Sequence, residues 1–508
     1  MTDTATTAKA LSDRIRREIE GNYWFAAIDA LQELLALPLS HHVLGVAWGM
    51  LGTCCMNIGR APEAALAYET AYEMRDESAR RTTLENIIFS KDHCEDTTLE
   101  YAHSLRRRFW NSYGRPLYNQ YRAPHNNDRD PERPLRVGYV SGDFRYHSAN
   151  ALFNKTILRH TEGYQAFVYS TAPRDLDDAF TTLYSQFAVL RHFPPAEQPS
   201  FGVTPASRQD EDDDILAKAI RQDRIDVLVD LSAYTNHGRM TLFARKPAPV
   251  QVTAWGYVLG TGLDTMDAIL GDPVAIPHSE QDFYSEKIVH LPCIVPFTAS
   301  HLAPEVAVSP HLCGQPFTFG CFARPSKIGA HILPLWRRTL EAVPDSRLFL
   351  KDAWIGSPWH RDRVLKALGV DPSRVIFGEQ TAQRAHLGAY GHMDLQLDPY
   401  PIAGGVSALE GFWQGVPAIV RRAPEKSRVV SRVSLSAATV LGMDDFIAAD
   451  DDEYVRLAVA WATERKGDLA HYWRPNLRAL ILNSPLAVGY VEAVENAYRE
   501  LWRAWCKG

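Results

Sequence analysis

The chain has 508 residues, enough for about three domains that each bury a core, and 46% hydrophobic with 23% charged residues is a globular composition. A formal net charge of −7 argues against nucleic-acid binding as the main role. The seven cysteines form no C-x-x-C pair, which indicates a reducing compartment and no structural zinc site.

The N-terminal sequence, residues 1–20, lacks the apolar segment of a signal peptide. No apolar run reaches the length of a membrane span. Together these patterns predict a cytoplasmic protein that makes no use of a membrane.

Residues 1–113 predict an all-helical domain, because apolar positions recur at intervals of three and four and β-branched runs are absent. One set of residues has the spacing of a tetratricopeptide repeat: Trp48, Leu51, Gly52, Gly59, Ala64, Tyr68 and Ala71. Only Cys55 departs from that pattern. A partial copy upstream is formed by Gly21, Ala26, Ala30 and Pro38. Two copies are too few for a free-standing solenoid, so we expect them to dock on the next domain, with self-association through the helices as the route to a homo-oligomer. The alternative is a generic helical hairpin.

Residues 114–134 are polar and rich in Pro and Asn, which predicts a linker. Short apolar strands then alternate with helices, a pattern typical of parallel sheets with helices on both faces. The predicted strands are Leu135–Ser141, Gln165–Thr171, Ile225–Leu231, Val250–Trp255, Phe317–Phe322, Ser346–Lys351, Arg374–Phe377, Asp394–Asp398 and Ala418–Val420. These are too many for one sheet, and the pattern lapses near residues 299–315. We therefore predict two doubly wound domains, 135–305 and 306–484, that face a cleft, and a C-terminal helix within 485–508.

The first predicted strand of the α/β part ends in a loop with two chemically useful side chains. The segment is LRVGYVSGDFRYHS, and it delivers Asp143 and His147 to the carboxyl edge of the sheet. Ligands bind at that edge in open α/β sheets. A histidine beside a carboxylate can act as an acid or base near neutral pH. The alternative is a histidine satisfied by the loop backbone.

Residues 230–257 contain loops at two further strand ends. The Pro-Ala-Pro run and Gly256 mark these loops. They place Tyr234, Thr235 and His237 as possible ligand contacts.

The segment FTFGCFARPSKI, residues 317–328, is a strand followed by a loop with Arg324 and Lys327. Cations at this edge are suited to neutralise a leaving diphosphate. A solvated surface lysine is the alternative.

A glycine turn follows the strand near residue 397. The sequence is DPYPIAGGVSALEGFWQGVP, with Gly404 and Gly405 just before a helical pattern. Glycines there let backbone N–H groups approach an anion, and a helix N-terminus favours negative charge. Glu410, one turn into the helix, would repel phosphate and suits a ribose hydroxyl pair. The turn predicts a nucleotide-diphosphate site, although an ordinary βα turn with a solvated Glu would look similar.

In this order the segments resemble the O-GlcNAc transferase and SPINDLY-like family of protein glycosyltransferases. The resemblance is carried by LRVGYVSGDFRYHS, FARKPAPVQVTAWGY, YSEKIVHLP, GCFARPSKI, the glycine-turn segment and SRVSLSAATVLG. It implies an α/β GT-B fold, two Rossmann-like domains behind tetratricopeptide repeats. It also implies inverting, metal-independent transfer of a sugar, GlcNAc from UDP-GlcNAc first of all, to Ser or Thr of a polypeptide. The partners would be a nucleotide sugar and a polypeptide, with no cofactor.

The resemblance also implies roles for individual residues. On the donor side, Lys327 would bind the diphosphate, with Arg324 beside it, Glu410 would hold the ribose and His386 would stack on the nucleobase. The phosphate turn would consist of Gly405, Val406 and Ser407.

On the acceptor side, His147 matches a histidine that was proposed as the base. Tyr257 lies in a Gly-Tyr loop beside the site. We expect Asp143, Tyr234 and Thr235 on the same side of the cleft.

Several positions depart from the family pattern. Gln383 stands where a Lys is usual, Ala389 where an Arg is usual, Arg324 where a Gln is usual and Asp226 where a His is found. The phosphate turn keeps Ser407 as its only hydroxyl. These changes leave other donors open, namely UDP-glucose, GDP-fucose or a CMP-sugar, and also an Asn acceptor. A sugar-nucleotide epimerase and a non-catalytic nucleotide-binding scaffold are the rival functions.

Two acidic runs, Asp210–Asp214 and Asp450–Glu453, resemble the carboxylate metal motif of other glycosyltransferases. Like-charge blocks are usually solvated loops, so we predict that neither binds a metal.

Overall fold

The computed structural model describes residues 4–194 and 206–508. Its first part, the helical region, contains seven α-helices, with one π-helical turn at Trp110–Gly114 between the last two. The helices are α1 Thr4–Glu20, α2 Trp24–Leu35, α3 His41–Asn57, α4 Ala61–Met74, α5 Glu77–Asp92, α6 Leu99–Phe109 and α7 Arg115–Tyr121.

Two helical hairpins, α1 with α2 and α3 with α4, stand where the two repeat copies were predicted. A Cβ atom on Gly52 would lie 2.7 Å from the Tyr68 ring, so the glycine is what lets α3 and α4 approach closely. The predicted linker begins too early, because residues 115–121 form α7. Pro116 misled that prediction: it lies just after the π-helical turn, in a helix that continues from α6 without a break.

The first sheet has seven parallel strands in the order β3-β2-β1-β4-β5-β6-β7. They are β1 Leu135–Ser141, β2 Tyr164–Ser170, β3 Val189–His192, β4 Val227–Asp230, β5 Val250–Thr253, β6 Ala268–Gly271 and β7 Lys287–His290. Its helices are α8 Asn150–Leu158, α9 Ala179–Phe187, α10 Ala206–Gln222 and α11 Met240–Ala244.

The second sheet has six parallel strands in the order β10-β9-β8-β11-β12-β13. They are β8 Thr318–Cys321, β9 Arg347–Lys351, β10 Val375–Gly378, β11 Leu395–Leu397, β12 Ala418–Arg421 and β13 Ile447–Ala448. The remaining helices are α12 Ile332–Ala342, α13 Pro358–Leu368, α14 Gln383–Ala389, α15 Val406–Trp413, α16 Val433–Val440, α17 Asp451–Ala462, α18 Lys466–Asp468, α19 Arg474–Leu482 and α20 Tyr490–Lys507.

All nine predicted strands are present, each within two residues of its predicted ends. The strands that the sequence pattern missed are β3, β6, β7 and β13, none longer than four residues. Runs so short do not establish an apolar pattern of their own.

The two faces of the first sheet have different partners. Val140 and Leu228 join a core with the helical region, whereas the alternate residues Tyr139 and Val229 join the core that extends through the second sheet. Burial on both faces explains why these parallel strands are apolar throughout.

The C-terminal helix α20 returns to the first sheet. The indole N–H of Trp255 donates to the Tyr490 hydroxyl at 2.7 Å, and His160 Nδ1 lies 2.9 Å from a carboxylate oxygen of Glu495. In the described ranges, no helix combines the length and the apolar character that crossing a bilayer requires.

The acidic runs do not form the loops that their composition predicted, but lie within or at the start of helices. Asp210, Asp213 and Asp214 lie on α10, and each forms an ion pair with an arginine, among them Arg245. Asp450 caps α17 by accepting the Glu453 N–H at 2.8 Å. Both runs therefore have structural partners.

Candidate active site

Each sheet has a point where the strand order reverses, and ligands bind in the crevice at such points. In the first sheet it lies between β1 and β4, and in the second between β8 and β11. The loops after these four strands carry most of the residues that the sequence singled out.

Lys327 joins the loop after β8 to the loop after β11. Its ammonium Nζ donates to the carbonyl oxygen of Ala403 at 2.8 Å, and Ala403 directly precedes the glycine turn. Burial lowers the pKa of Lys327, while the Asp398 carboxylate works against that shift. The structure thus brings together the lysine and the turn that were predicted to share a phosphate.

The glycine turn is built on Asp398, the first residue after β11. One carboxylate oxygen of Asp398 accepts the Gly404 N–H at 2.9 Å, and the other accepts the Ser434 hydroxyl at 2.5 Å. A Cβ on Gly404 would lie 2.5 Å from that carboxylate, whereas a Cβ on Gly405 would meet no atom within 4 Å. Burial raises the pKa of Asp398 to about 6. The backbone at Gly405, where α15 begins with Val406, therefore borders open space.

His386 and Glu410 lie together on neighbouring helices. His386 Nε2 is 3.5 Å from Glu410 Oε2, and its Nδ1 is 3.2 Å from the ammonium of Lys351. Because an ammonium only donates, Nδ1 accepts and the ring proton lies on Nε2, facing Glu410. Ser407 is fixed nearby through its carbonyl, which accepts the Tyr390 hydroxyl at 2.7 Å.

Sequence reasoning missed both Asp398 and Lys351 as site residues. Each lies at the carboxyl end of a strand, Asp398 just after β11 and Lys351 as the last residue of β9. Their position was the available signal, because polar groups at that edge are ligand candidates.

His147 lies in the loop after β1, with its Nδ1 3.5 Å from a carboxylate oxygen of Asp143. The Ala149 N–H also points at Nδ1, at 3.3 Å, so protonation of this nitrogen decides which contact forms. Burial lowers the pKa of His147, Asp143 opposes the shift, and the guanidinium groups of Arg145 and Arg324 reinforce it.

Arg324 connects the two halves electrostatically. It is exposed in the loop after β8; its carbonyl accepts the Lys327 N–H at 2.9 Å, and its guanidinium makes no hydrogen bond or ion pair with another described residue. Its guanidinium helps to lower the pKa of His147, so the loop after β8 lies near the loop after β1. The two switch points therefore face one cleft.

Two of the expected cleft residues are instead used in packing. The Tyr234 hydroxyl donates to the carbonyl of Thr261 at 2.7 Å, and its ring packs edge-on against Phe109 of the helical region. The Tyr257 hydroxyl donates to the buried carboxylate of Asp92. Both hydroxyls are therefore engaged with protein groups, and a ligand role for these two tyrosines stays a prediction.

Thr235 and His237 lie in the loop after β4. The Thr235 hydroxyl donates to the carbonyl of Ser232 at 2.6 Å, which closes the loop on itself. His237 has a positive φ of 64° and rests against Gly142, whose Cβ would lie 2.7 Å from the His237 side chain. Burial lowers the pKa of His237, and the nearby Asp143 carboxylate opposes that shift. His237 therefore lies beside the loop that carries Asp143 and His147.

Over residues 4–194 and 206–508, no group of three or more His, Cys, Asp and Glu side chains is arranged to hold a metal ion.

Two doubly wound sheets with facing switch points, behind a helical region, are the GT-B architecture of glycosyltransferases that use nucleotide sugars. The sequence profile of glycosyl transferase family 41 matches residues 117–303 and 309–485. The chain therefore belongs to glycosyl transferase family 41.

Individual relatives agree with this assignment. A Petunia hybrida protein described as a probable UDP-N-acetylglucosamine–peptide N-acetylglucosaminyltransferase SPINDLY is 32% identical over 421 residues, which cover 81% of this chain and 43% of the relative. The Arabidopsis thaliana protein of the same description is 32% identical over 400 residues, 77% of this chain and 42% of the relative. The chain thus spans less than half the length of these curated relatives.

A solved structure of an O-GlcNAc transferase mutant from Thermobaculum terrenum superposes with a TM-score of 0.79 at 25% identity. The match covers 100% of this chain and 99% of that one. The helical region and both sheets are therefore common to the two proteins.

Proposed function

We propose that the chain is an inverting, metal-independent glycosyltransferase that moves GlcNAc from UDP-GlcNAc to Ser or Thr of a polypeptide. The observation that carries the proposal is the Lys327 ammonium 2.8 Å from the carbonyl that precedes the open glycine turn. A cation, free backbone N–H groups and a helix start meet there, which is the chemistry that a leaving diphosphate needs.

The donor would bind across the second sheet. Lys327, Arg324 and the start of α15 would meet the charge that develops on the diphosphate, with the Ser407 hydroxyl beside them. Glu410, held 3.5 Å from His386, has free acceptor capacity for ribose hydroxyls, and His386 offers a ring face to the base.

The acceptor hydroxyl would attack the anomeric carbon from the face opposite the diphosphate, which inverts the configuration. When Asp143 holds the proton of His147 on Nδ1, the lone pair of Nε2 is free to take the hydroxyl proton. The lowered pKa of His147 keeps the ring neutral near pH 7, the form that a base requires. We expect His147→Ala to lose transfer activity, either as the base or as the residue that positions the acceptor.

A transfer assay with the full chain tests the proposal. Acceptor peptides rich in Ser and Thr are incubated with UDP-GlcNAc, UDP-glucose, GDP-fucose or a CMP-sugar, with EDTA or with added Mg²⁺. We expect UDP-GlcNAc to give a glycosylated Ser or Thr, unaffected by EDTA. The other three donors are included because Gln383, Ala389 and Val406 depart from the family pattern at the donor side.

Other outcomes would identify the rivals. Conversion of the sugar nucleotide without any peptide indicates an epimerase. Selective thermal stabilisation by a nucleotide, without transfer from any donor, indicates a binding scaffold. Sugar found on an Asn side chain of the peptide would show that the acceptor is Asn and not Ser or Thr. Cytoplasmic location and self-association through the helical region remain predictions.

A further inference from the structure

The loop that carries His147 is tied to the beginning of α9. The Thr181 hydroxyl donates to the carbonyl of Phe144 at 2.8 Å. The Tyr146 N–H, one residue before His147, donates to a carboxylate oxygen of Asp178 at 2.5 Å. These two side chains hold the loop on both sides of Arg145, although Tyr146 itself is 51% exposed.

Asp178 uses its two oxygens for different tasks. Oδ1 caps α9 by accepting the N–H groups of Phe180 at 2.8 Å and Thr181 at 3.3 Å. Oδ2 accepts the Tyr146 N–H. The same carboxylate therefore fixes the start of a helix and the backbone beside His147.

We propose that Asp178 is a positioning residue that holds His147 in the cleft through the Tyr146 N–H. The inference rests on the proposed function, since it gives His147 its place opposite the donor. Without this bond the loop keeps the Thr181 contact at Phe144 and the turn in which the Asn150 N–H donates to the carbonyl of His147 at 3.1 Å, but the Tyr146 backbone loses its hydrogen bond to the start of α9. Small displacements of a reacting group are costly, with about a hundredfold loss of rate for a shift of 1 Å.

Asp178→Asn separates the two tasks. An amide has one acceptor oxygen, and Asn is among the best helix N-caps, so the cap on α9 can be kept. Its NH₂ group would then face the Tyr146 N–H, and the loop bond is lost. We expect kcat to fall about 10- to 100-fold. The donor KM should stay unchanged, because the donor residues lie on the second sheet. The melting temperature should stay unchanged, because Asn keeps the cap on α9.

Asp450→Asn is the matched control. Asp450 caps α17 through the Glu453 N–H at 2.8 Å, far along the chain from the His147 loop. The same chemical change there should leave kcat, donor KM and loop dynamics as in the unmodified protein.

Amide hydrogen exchange over residues 143–149 tests the anchor without reference to activity. Faster exchange in Asp178→Asn, and not in Asp450→Asn, supports the positioning role of Asp178. This holds even if the protein transfers no sugar, because absence of transfer would contradict only the proposed function. Unchanged exchange overturns it. In an active enzyme, faster exchange with an unchanged kcat also overturns it, as does a loss of kcat accompanied by a weaker donor KM and a lower melting temperature.

Discussion

The loops at the carboxyl edges of the two sheets occupy equivalent places in the fold but are used differently. At the second sheet, Lys327 binds the backbone before the glycine turn, and Lys351 approaches His386. At the first sheet, Tyr234 and Tyr257 follow β4 and β5 in the same way, yet both are buried against the helical region. Position at a sheet edge therefore does not decide whether a polar side chain is available for chemistry.

The helical region explains the difference. Asp92, at the end of α5, is buried with Arg106, whose guanidinium lies 2.6 Å from its carboxylate, and it also accepts the Tyr257 hydroxyl. Arg428 from the second half donates to the carbonyls of Asp92 at 2.8 Å and Cys94 at 2.6 Å. A buried charge needs several partners, so Tyr257 serves this junction rather than the cleft, whereas the loop after β1 still carries His147 to the cleft.

The largest effect should come from the second sheet. We expect Lys327→Ala to lower kcat about a hundredfold or more, because under the proposed function it removes a fixed charge that would stabilise the leaving diphosphate. The fold should persist, as judged by circular dichroism and thermal unfolding. Transfer is measured with saturating donor and acceptor.

Lys366→Ala is the control for that experiment, since Lys366 is an exposed lysine on α13 of the same half. It should leave kcat unchanged. Near-normal turnover in Lys327→Ala would contradict the assignment of the second sheet as the donor side.

The sequence predicted the architecture well because its signals were local. Alternating strands and helices, and the lapse near residues 299–315, were enough for two parallel sheets. The same holds for the glycine turn, whose residues are contiguous.

What the sequence did not predict depends on distant contacts. Tyr234 and Tyr257 follow strands, as ligand contacts do, and nothing near them reveals that Asp92 and Phe109 cover them. Lys351 was missed because its neighbour in the candidate site is distant in sequence: α14 brings His386 within 3.2 Å of its ammonium. Local geometry was therefore predictable where one segment builds it, as at the glycine turn, and the neighbours of a side chain were not predictable where packing of distant segments decides them.

A smaller effect should come from Tyr257, at the part of the first sheet's edge that the helical region covers. Tyr257→Phe removes one hydrogen bond from the buried Asp92 carboxylate while Arg106 remains, so we expect the free energy of unfolding to fall by about 1–3 kcal/mol. Donor affinity and kcat per folded molecule should be unchanged. Urea unfolding and nucleotide titration measure the two quantities.

If Tyr257→Phe instead kept its stability and lost turnover more than about tenfold, a barrier change of about 1.4 kcal/mol, the first edge would act in chemistry after all. The conclusion that Tyr257 serves packing and not chemistry would then be wrong.

The smallest effect concerns the contact of the second half with the helical region. His360 on α13 has its Nε2 2.7 Å from the carbonyl of Ile58, and burial lowers its pKa to about 4. The unfolded chain takes up this proton near pH 6.5, whereas the folded protein resists it until about pH 4, so stability is lost as the pH falls through that interval. The loss from one histidine stays below about 1.4 kcal/mol per pH unit.

His360→Gln isolates this contribution, because an amide N–H can still donate to Ile58 and does not titrate. Urea unfolding at pH 7 and pH 5 should show a smaller difference for the variant than for the unmodified protein. His93 and His125 remain in both, and burial lowers the pKa of each to about 4, so some acid destabilisation persists. An identical pH dependence in the two proteins would mean that burial does not lower the pKa of His360 at this contact.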